Sequence, residues 1–397
     1  MRRLLFLTSA IVFFDTLFFA ALTPLLPHFE HALGLGKTGA GVLAAAYPAG
    51  CLLGAVPSGW VASRVGPKPT AIAGLSVVAF CTVLFGVATT GWELDVARFA
   101  QGCASAFSWV GAFVWLVAAT PATRRGQTIG NAFAAASAGA LFGPVLGAIA
   151  SLAGVRATFV VIGVGSLGLA LWAALTHAER PERPQPLSVL GRALRTRGVL
   201  LGCWFVTLAG VCFGTLGVLA PLWLAAIGVG ALGIAATFLA GAAGETGVNL
   251  VVGRVADRRG PLLPLRAGLV GAAILTLSLA TRPHAAAVVI ALVAVACLAF
   301  GTFFTPGMTI LSHAGENAGV GFGYSFALVN AAWAPGQALG AAGSAALAHA
   351  TSDTVPYLLL AGVCALTLAG LWRGSTASMT QSAARSNARS LPTTGAD

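Results

Sequence analysis

Charged residues are scarce in this sequence, and their scarcity argues against a soluble protein. Asp, Glu, Lys and Arg make up 8% of the 397 residues, whereas a soluble domain usually carries about 25%. Hydrophobic residues make up 57% of the chain. Because a water-exposed surface cannot be built from this composition, the lipid bilayer must be the solvent for most of the chain.

Motifs of nucleotide-driven and metal-dependent proteins are also missing. The sequence contains no Gly-x-x-x-x-Gly-Lys-[Ser/Thr] loop, so pumping driven by ATP has no support. No group of His, Cys and Asp residues has the spacing of a metal site. The seven cysteines all lie within apolar segments and are interpreted as packing residues. We therefore expect neither an enzyme nor a bound cofactor or metal ion.

Long apolar runs dominate what is present. A membrane-spanning helix needs about 20 apolar residues, and the chain contains twelve such segments. Their approximate bounds are 4–27, 39–62, 70–90, 94–119, 127–151, 157–176, 199–224, 231–253, 264–281, 284–311, 320–348 and 355–373. They are continuous, unlike the alternating segments of about ten residues in membrane β-barrels. The sequence therefore predicts an all-α integral membrane protein with twelve transmembrane helices.

One polar stretch divides the twelve segments into two sets of six. Residues 177–198 are rich in proline and basic residues and are interpreted as a cytoplasmic linker. The linker would separate an N-terminal six-helix bundle, 1–176, from a C-terminal one, 199–373. Residues 374–397 are rich in Ser, Thr, Ala and Arg and are expected to form a disordered cytoplasmic tail.

The net charge of +11 follows the membrane topology and does not indicate a nucleic-acid partner. If the N-terminus is cytoplasmic, nearly all basic residues fall in cytoplasmic loops and tails. Only Lys37, Arg156 and Arg282 fall in outer loops. This asymmetry is the positive-inside rule, and it predicts that both termini are cytoplasmic. A cleaved signal peptide is the alternative for the first segment, but Asp15 interrupts it and eleven spans follow.

One loop pattern occurs twice, 194 residues apart, each time after a long apolar segment. The first copy contains Gly59, Ser63, Arg64, Gly66 and Pro67. The second copy contains Gly253, Asp257, Arg258, Gly260 and Pro261. Internal repeats of this kind are typical of secondary transporters, whose binding site lies between the repeats. Glycine permits the tight turn, and Asp257 and Arg258 can form charge-assisted bonds that lock an inner gate.

The two loops resemble the loop signature of the major facilitator superfamily, which has them between helices 2 and 3 and between helices 8 and 9. Ser63 stands where the family usually has Asp, so a gate bond through a carboxylate is not expected in the first half. The alternative is that both loops carry only positive-inside charges. The resemblance implies two pseudo-symmetric six-helix bundles with a cavity between them.

The fourth apolar segment carries an arginine motif. Arg98, Gln101 and Gly102 resemble the family's Arg-x-x-Gln-Gly motif, which is associated with proton transfer in its drug exporters. An arginine inside a membrane helix is costly unless it is paired or hydrated, so Arg98 is a candidate for a functional role. Asp95 lies on the same face. A pair between Asp95 and Arg98 at the outer interface is the alternative.

The fifth apolar segment carries a glycine pattern that resembles the antiporter motif of the family's proton-coupled exporters. Its members are Gly139, Gly143, Pro144 and Gly147. The glycines offer a smooth face for close helix packing, and Pro144 is expected to kink the helix. The resemblance implies that this helix takes part in the switch between inward and outward access. Ordinary packing of small residues is the alternative.

Two carboxylates lie well inside predicted spans. Asp15 falls near the middle of the first segment, which resembles the first helix of the drug:proton antiporter branch. Glu245 falls in the eighth segment, with Asn249 on the same face. Intramembrane carboxylates are costly, so both are predicted to couple protons, with Arg98 tuning or relaying. Asp15 could instead be a permanent anion facing a cationic substrate or a structural carboxylate, and Glu245 a hydrated cavity residue.

Aromatic and polar side chains of several segments are predicted to line a substrate cavity. They are Phe18, Gln101, Trp109, Phe113, Asn249, Asn330 and Trp333. The resemblance implies a monomer in the bacterial cytoplasmic membrane that exports a small hydrophobic or cationic compound in exchange for protons. The proton gradient would then be the energy source. The alternatives are an uptake permease for a sugar, organic acid or amino acid, and a non-transporting sensor with the same fold.

Overall fold

A computed structural model describes residues 2–121, 124–177, 186 and 188–389, and the elements in this part of the chain are helices. For Gly126, Asp257, Phe322 and residues 373–389 only the backbone is described. The helices are α1 (Arg2–Ala21), α2 (Leu26–Leu33), α3 (Gly36–Arg64), α4 (Pro67–Val87), α5 (Gly91–Ala118), α6 (Arg125–Ala153), α7 (Val155–Leu175), α8 (Ser188–Ala193), α9 (Arg197–Ala226), α10 (Ala231–Arg259), α11 (Leu262–Ala280), α12 (Ala286–Asn317), α13 (Phe322–Ala338), α14 (Ser344–Ala350) and α15 (Thr354–Arg389).

The first predicted span is built from two helices. A 3₁₀ turn at Thr23–Leu25 separates α1 from α2, and Pro24 and Pro27 each occupy the first turn of the element that follows. Proline fits there because its missing N–H would have no partner within the helix. The α2 helix ends at Gly34, whose φ of 62° places it in the left-handed region. The span therefore extends past its predicted end at residue 27.

Eleven helical segments in the described part of the chain are long and apolar enough to cross a membrane. The remaining predicted span, 320–348, consists of α13, a π-helical turn at Leu339–Gly343, and α14. No single helix in it reaches spanning length, because the hydrogen-bond pattern changes at the π turn. The twelve apolar segments are thus all helical, which confirms the predicted all-α membrane fold.

Helix packing follows the same pattern in the two halves. In the N-terminal half, α1 packs on α6, α5 packs on α3 and α4, and α4 packs on α7. In the C-terminal half, α9 packs on α13, α12 packs on α10 and α11, and α11 packs on α15. Each of these pairs has its counterpart six spans later in the chain. A duplicated six-helix unit produces this correspondence.

The structure describes the predicted linker and tail only in part. Within the predicted linker, 177–198, the helix α8 is described and α9 begins at Arg197, whereas residues 178–185 and 187 lie outside the described part. The α15 backbone is helical to Arg389, beyond residue 373, where the tail was expected to begin. Residues 390–397 are outside the described part, and the disorder of the tail stays a prediction.

The two halves touch along α3 and α13, and α6 also packs on α10. Near one end of α3, a Cβ on Gly41 would overlap Ala345 of α14. Near the other end, a Cβ on Gly59 would lie 3.0 Å from the Tyr324 ring of α13. Glycine is therefore what allows close approach between the halves at both ends of this contact.

Candidate functional site

Asp15 is the centre of a buried hydrogen-bond cluster in the N-terminal half. Its side chain is 3% exposed. One oxygen, Oδ2, accepts hydrogen bonds from the hydroxyl of Tyr47 at 2.9 Å, the hydroxyl of Ser105 at 2.6 Å and Nε1 of Trp109 at 2.6 Å. The other oxygen, Oδ1, is buried and has no hydrogen-bond partner among the described residues. The three donors belong to α3 and α5, so the cluster joins three helices.

Arg98 lies buried beside this cluster, with 2% exposure. Its guanidinium donates to the carbonyl oxygens of Phe18 and Phe19 at 3.2 Å each, and to Oε1 of Gln101 at 2.8 Å. The described residues include no ion pair between Arg98 and Asp95, so the alternative of an interfacial pair is wrong. The arginine instead ties α5 to the backbone of α1, a few residues past Asp15.

Tyr47 connects the carboxylate to the arginine. Its hydroxyl donates to Asp15, and the guanidinium carbon of Arg98 lies 5.0 Å from the centre of its ring. This distance is typical of a cation–π contact. Gly102 makes the arrangement possible, because a Cβ there would overlap the carbonyl oxygen of Tyr47. The glycine of the arginine motif thus allows α3 to approach α5 at the level of the site.

The glycine pattern of α6 packs against α1, which carries Asp15. A Cβ on Gly139 would overlap the carbonyl of Phe13, one on Gly143 would overlap Ala20, and one on Gly147 would overlap the carbonyl of Ala21. Pro144 lies inside α6. The close packing expected from the pattern is present, and the role of this helix in the conformational switch stays a prediction.

Glu245 lies in the C-terminal half, against α12. A Cβ on Gly301 would lie 2.7 Å from its carboxyl carbon, so the absence of a side chain on Gly301 makes room for the carboxylate. Oδ1 of Asn249, four residues further along α10, accepts from the Thr305 hydroxyl of α12 at 3.0 Å, so both side chains face α12. The shared face predicted for Glu245 and Asn249 is confirmed.

The residues predicted to line a cavity fall into two groups. Phe18 and Gln101 are 1% exposed and lie inside the N-terminal half, where the Gln101 amide also donates to the Thr82 hydroxyl at 2.8 Å. Phe18 belongs to a buried apolar cluster that also includes Val218 and Leu222 of α9. Of the remaining five, Phe113 and Trp333 contact rings of the opposite half, Trp109 donates to Asp15, Asn249 accepts from Thr305, and Asn330 is half-buried on α13.

Two aromatic contacts cross from one half to the other near Asp15. The ring of Phe113 is stacked on Phe326 of α13, with centroids 4.4 Å apart, and Phe113 also contacts Trp109 at 5.5 Å. On the opposite side, Phe19 lies 5.0 Å from Tyr47 and 5.4 Å from Trp333 of α13. Each series of ring contacts ends at a residue that donates a hydrogen bond to Asp15, which is Trp109 in the first series and Tyr47 in the second.

The predicted gate residues form few contacts of their own. The Ser63 hydroxyl donates to the carbonyl of Trp60 at 2.8 Å, and Arg64 lies over the Trp60 ring. A Cβ on Gly253 would meet nothing within 4 Å. Gly66 and Gly260 both have positive φ, 112° and 80°, as their turns require. Arg258 is exposed, and the Asp257 side chain lies outside the described part, so the gate bond between them stays a prediction.

A second charged cluster, which we name the loop latch, was missed by sequence reasoning. It consists of Lys37, Asp353, Arg282 and Trp223. Asp353 accepts from Lys37 at 2.7 Å and also forms an ion pair with Arg282, while Arg282 lies 4.7 Å from the centre of the Trp223 ring. Lys37 belongs to the first half and the other three to the second. The latch therefore bridges the halves.

The charge state of the loop latch follows from its geometry. Partial burial raises the pKa of Asp353, but the hydrogen bonds from Lys37 and Arg282 and their positive charges outweigh it, so the pKa lies below its ordinary value of 3.8. The signal in the sequence was an acidic residue in a predicted outer loop that shares its side of the membrane with Lys37 and Arg282.

Comparison with known proteins identifies the family. The model of the Major Facilitator Superfamily matches residues 8–336. The chain belongs to this superfamily. The Major Facilitator Superfamily chain is thus a multi-pass membrane protein with the fold that the resemblance implied. A crystal structure of a bacterial homolog to the human lysosomal transporter Spinster, inward-facing and unoccupied, superposes with a TM-score of 0.74 at 13% identity, covering 93% of this chain and 94% of that one.

Two curated relatives show how far sequence similarity reaches. The probable sulfoacetate transporter SauU of Cupriavidus necator is 29% identical over 47% of this chain and 48% of its own length. Multidrug resistance protein 1 of Bacillus subtilis is 23% identical over 49% of this chain and 50% of its own. The chain spans between a quarter and a half of the length of the first curated relatives that it matches.

Proposed function

We propose that this transporter exports a small hydrophobic or cationic compound in exchange for protons, with Asp15 as the principal proton site. The observation that carries the proposal is the buried carboxylate with one oxygen unpartnered among the described residues. An isolated carboxylate in a dry interior is unfavourable unless it is neutralised. A proton or a cationic group would neutralise it, and competition between the two is the simplest form of exchange.

The charges of the interior also favour a cation over an anion. Asp15 and Glu245 lie within spans, and Glu245 makes no ion pair among the described side chains. The two terminal nitrogens of Arg98 are engaged by two backbone carbonyls and Gln101, its Nε has no partner among the described residues, and the residue is 2% exposed. Arg98 is therefore poorly placed to receive an anionic substrate, and it is better placed to influence the protonation of Asp15 through Tyr47. The name of the Bacillus subtilis relative is in line with this proposal.

Transport of an organic anion is the second candidate, because one relative is named a probable sulfoacetate transporter. An anion would need an uncommitted cation facing the interface between the halves. The aromatic contacts described above lead to donors of Asp15 and not to such a cation. For this reason we rank an organic acid permease below the proton-coupled exporter.

The decisive experiment measures proton release from acidified inside-out vesicles that contain the protein. A panel of cationic and neutral drugs is added, and a pH-sensitive dye follows the lumen. We expect drug-triggered proton efflux from vesicles with the wild type. With Asp15→Asn we expect no more efflux than from vesicles without the protein. Asp95→Asn is the matched control, since Asp95 lies on the neighbouring α5 and makes no ion pair among the described residues.

Each other result has a defined meaning. Efflux that is unchanged in Asp15→Asn would contradict the role of Asp15 and move the proton site to Glu245. No efflux with any compound, from protein shown to be folded, would contradict drug export and favour a narrow metabolite substrate or uptake. If Asp15→Asn and Glu245→Gln alter only stability, the chain is a sensor that keeps the transporter fold.

A further inference from the structure

The two oxygens of Asp15 have opposite environments. Oδ2 accepts three hydrogen bonds, from Tyr47, Ser105 and Trp109. Oδ1 is equally buried and accepts none from the described residues. A carboxylate has about four acceptor positions over its two oxygens, and a buried acceptor without a donor is costly. The acceptor positions of this carboxylate that lack a donor among the described residues thus lie on Oδ1.

We propose that Tyr47, Ser105 and Trp109 are positioning residues that hold Asp15 by Oδ2, so that the proton is taken up and released at Oδ1. The proposal rests on the proposed function, since it specifies where on Asp15 the exchanged proton binds. A proton on Oδ2 would have to displace one of three donors. A proton on Oδ1 displaces none, so it can bind and leave while α1, α3 and α5 stay packed.

Tyr47 contacts both a second donor of the cluster and Arg98. Its hydroxyl also lies 2.6 Å from the Ser105 hydroxyl, and its ring faces the Arg98 guanidinium. Because each hydroxyl carries one hydrogen, the one that donates to the other hydroxyl does not donate to Oδ2 at the same time, so Tyr47 and Ser105 share the donation to Oδ2. The titratable or charged groups facing Asp15 are Tyr47 and Cys51 on α3 and Arg98 on α5. The described stretch of α6 that packs on α1 contributes glycines and no titratable side chain there.

Infrared difference spectroscopy during a pH titration of the reconstituted full chain tests the proposal. The carboxyl band of protonated Asp15 is identified as the band that Asp15→Asn removes. If the proton is on Oδ1, the carbonyl oxygen is Oδ2, which accepts hydrogen bonds. We then expect the low-frequency stretch of a strongly hydrogen-bonded carbonyl. Tyr47→Phe should move this band to higher frequency, because it deletes one donor and keeps the ring over Arg98.

The midpoint of the titration gives an independent readout. Because hydrogen bonds to Oδ2 favour the anion, Tyr47→Phe should shift the midpoint upward by about one pH unit, a tenfold gain in proton affinity. Ser105→Ala should shift it in the same direction and serves if Tyr47→Phe does not fold. Tyr357→Phe is the matched control, because Tyr357 is buried and its hydroxyl has no partner among the described residues.

The outcomes separate this proposal from the proposed function. A carboxyl band at the frequency of a free carbonyl, unchanged in Tyr47→Phe and Ser105→Ala, would overturn the assignment to Oδ1 while leaving Asp15 as the proton site. If Asp15→Asn removes no titrating band, Asp15 does not exchange protons: the proposal fails together with the role of Asp15 in the proposed function, and the proton site moves to Glu245. A shift of equal size in Tyr357→Phe would also overturn the proposal.

Discussion

Glu245 depends on one neighbouring glycine for its position. A Cβ on Gly301 would overlap the Glu245 side chain, and overpacking of this kind costs about 1–3 kcal/mol when neither side can move. We therefore expect Gly301→Ala to displace the carboxylate and to reduce substrate-triggered proton release about as much as Glu245→Gln. The proton-release experiment, repeated with vesicles that contain each variant, measures both reductions. Glu245 is on α10, so the effect would appear without any change in the Asp15 cluster.

Gly247→Ala is the control for this substitution. Gly247 lies two residues from Glu245 on the same helix, and a Cβ there would meet nothing within 4 Å. Its replacement by alanine should leave proton release unchanged. If Gly301→Ala behaves like the control, Glu245 either tolerates displacement or takes no part in coupling, and Glu245→Gln tells the two apart.

At the scale of helices, the packing of α6 on α1 is sensitive to an added methyl group. A Cβ on Gly139 or Gly147 would overlap a backbone carbonyl of α1, which cannot rotate away as a side chain can. We expect Gly139→Ala and Gly147→Ala each to destabilise the fold by about 1–3 kcal/mol. The midpoint of thermal unfolding in detergent measures this. Gly130→Ala, on the same helix with open space around it, should be neutral; an equal loss there would contradict the packing explanation.

Hydropathy was sufficient to predict the twelve apolar helices but not their partners. A soluble helix shows which face it buries through its polar face, whereas these helices are apolar all round, so their rotation is hard to read. Tyr47 and Ser105, which are 32 and 90 residues from Asp15, were therefore missed as its donors. Trp109 was predicted as a cavity residue, and its bond to Asp15 was not foreseen. The motifs singled out Arg98, but they did not predict that it binds the α1 backbone.

At the scale of the whole molecule, the loop latch joins the two halves on the face that the charge pattern predicts to be external. An ion pair that is partly exposed stabilises by at most about 1 kcal/mol, or roughly fivefold in the ratio of closed to open forms. Asp353→Asn should lower that ratio accordingly. Spin labels on cysteines introduced at Thr38 and Ser352, both exposed, would report the opening as a longer distance. Arg156→Gln is the control, as Arg156 forms no ion pair among the described residues.

The sign of the pH dependence follows from the lowered pKa of Asp353. A carboxylate whose pKa is lowered in the closed form stabilises that form at pH values above its ordinary pKa of 3.8. This stabilisation is lost only as the pH falls below 3.8 and through the lowered pKa. Between pH 8 and pH 5 Asp353 therefore stays ionised. We expect titration of the latch to cause no change in the distance between the spin labels of the wild type in this range. A distance that lengthens within this range in wild type and equally in Asp353→Asn would point to Asp15 or Glu245 as the source. If the distance lengthens in the wild type but not in Asp353→Asn, Asp353 titrates in this range. The closed latch is then itself the proton sensor, contrary to our expectation.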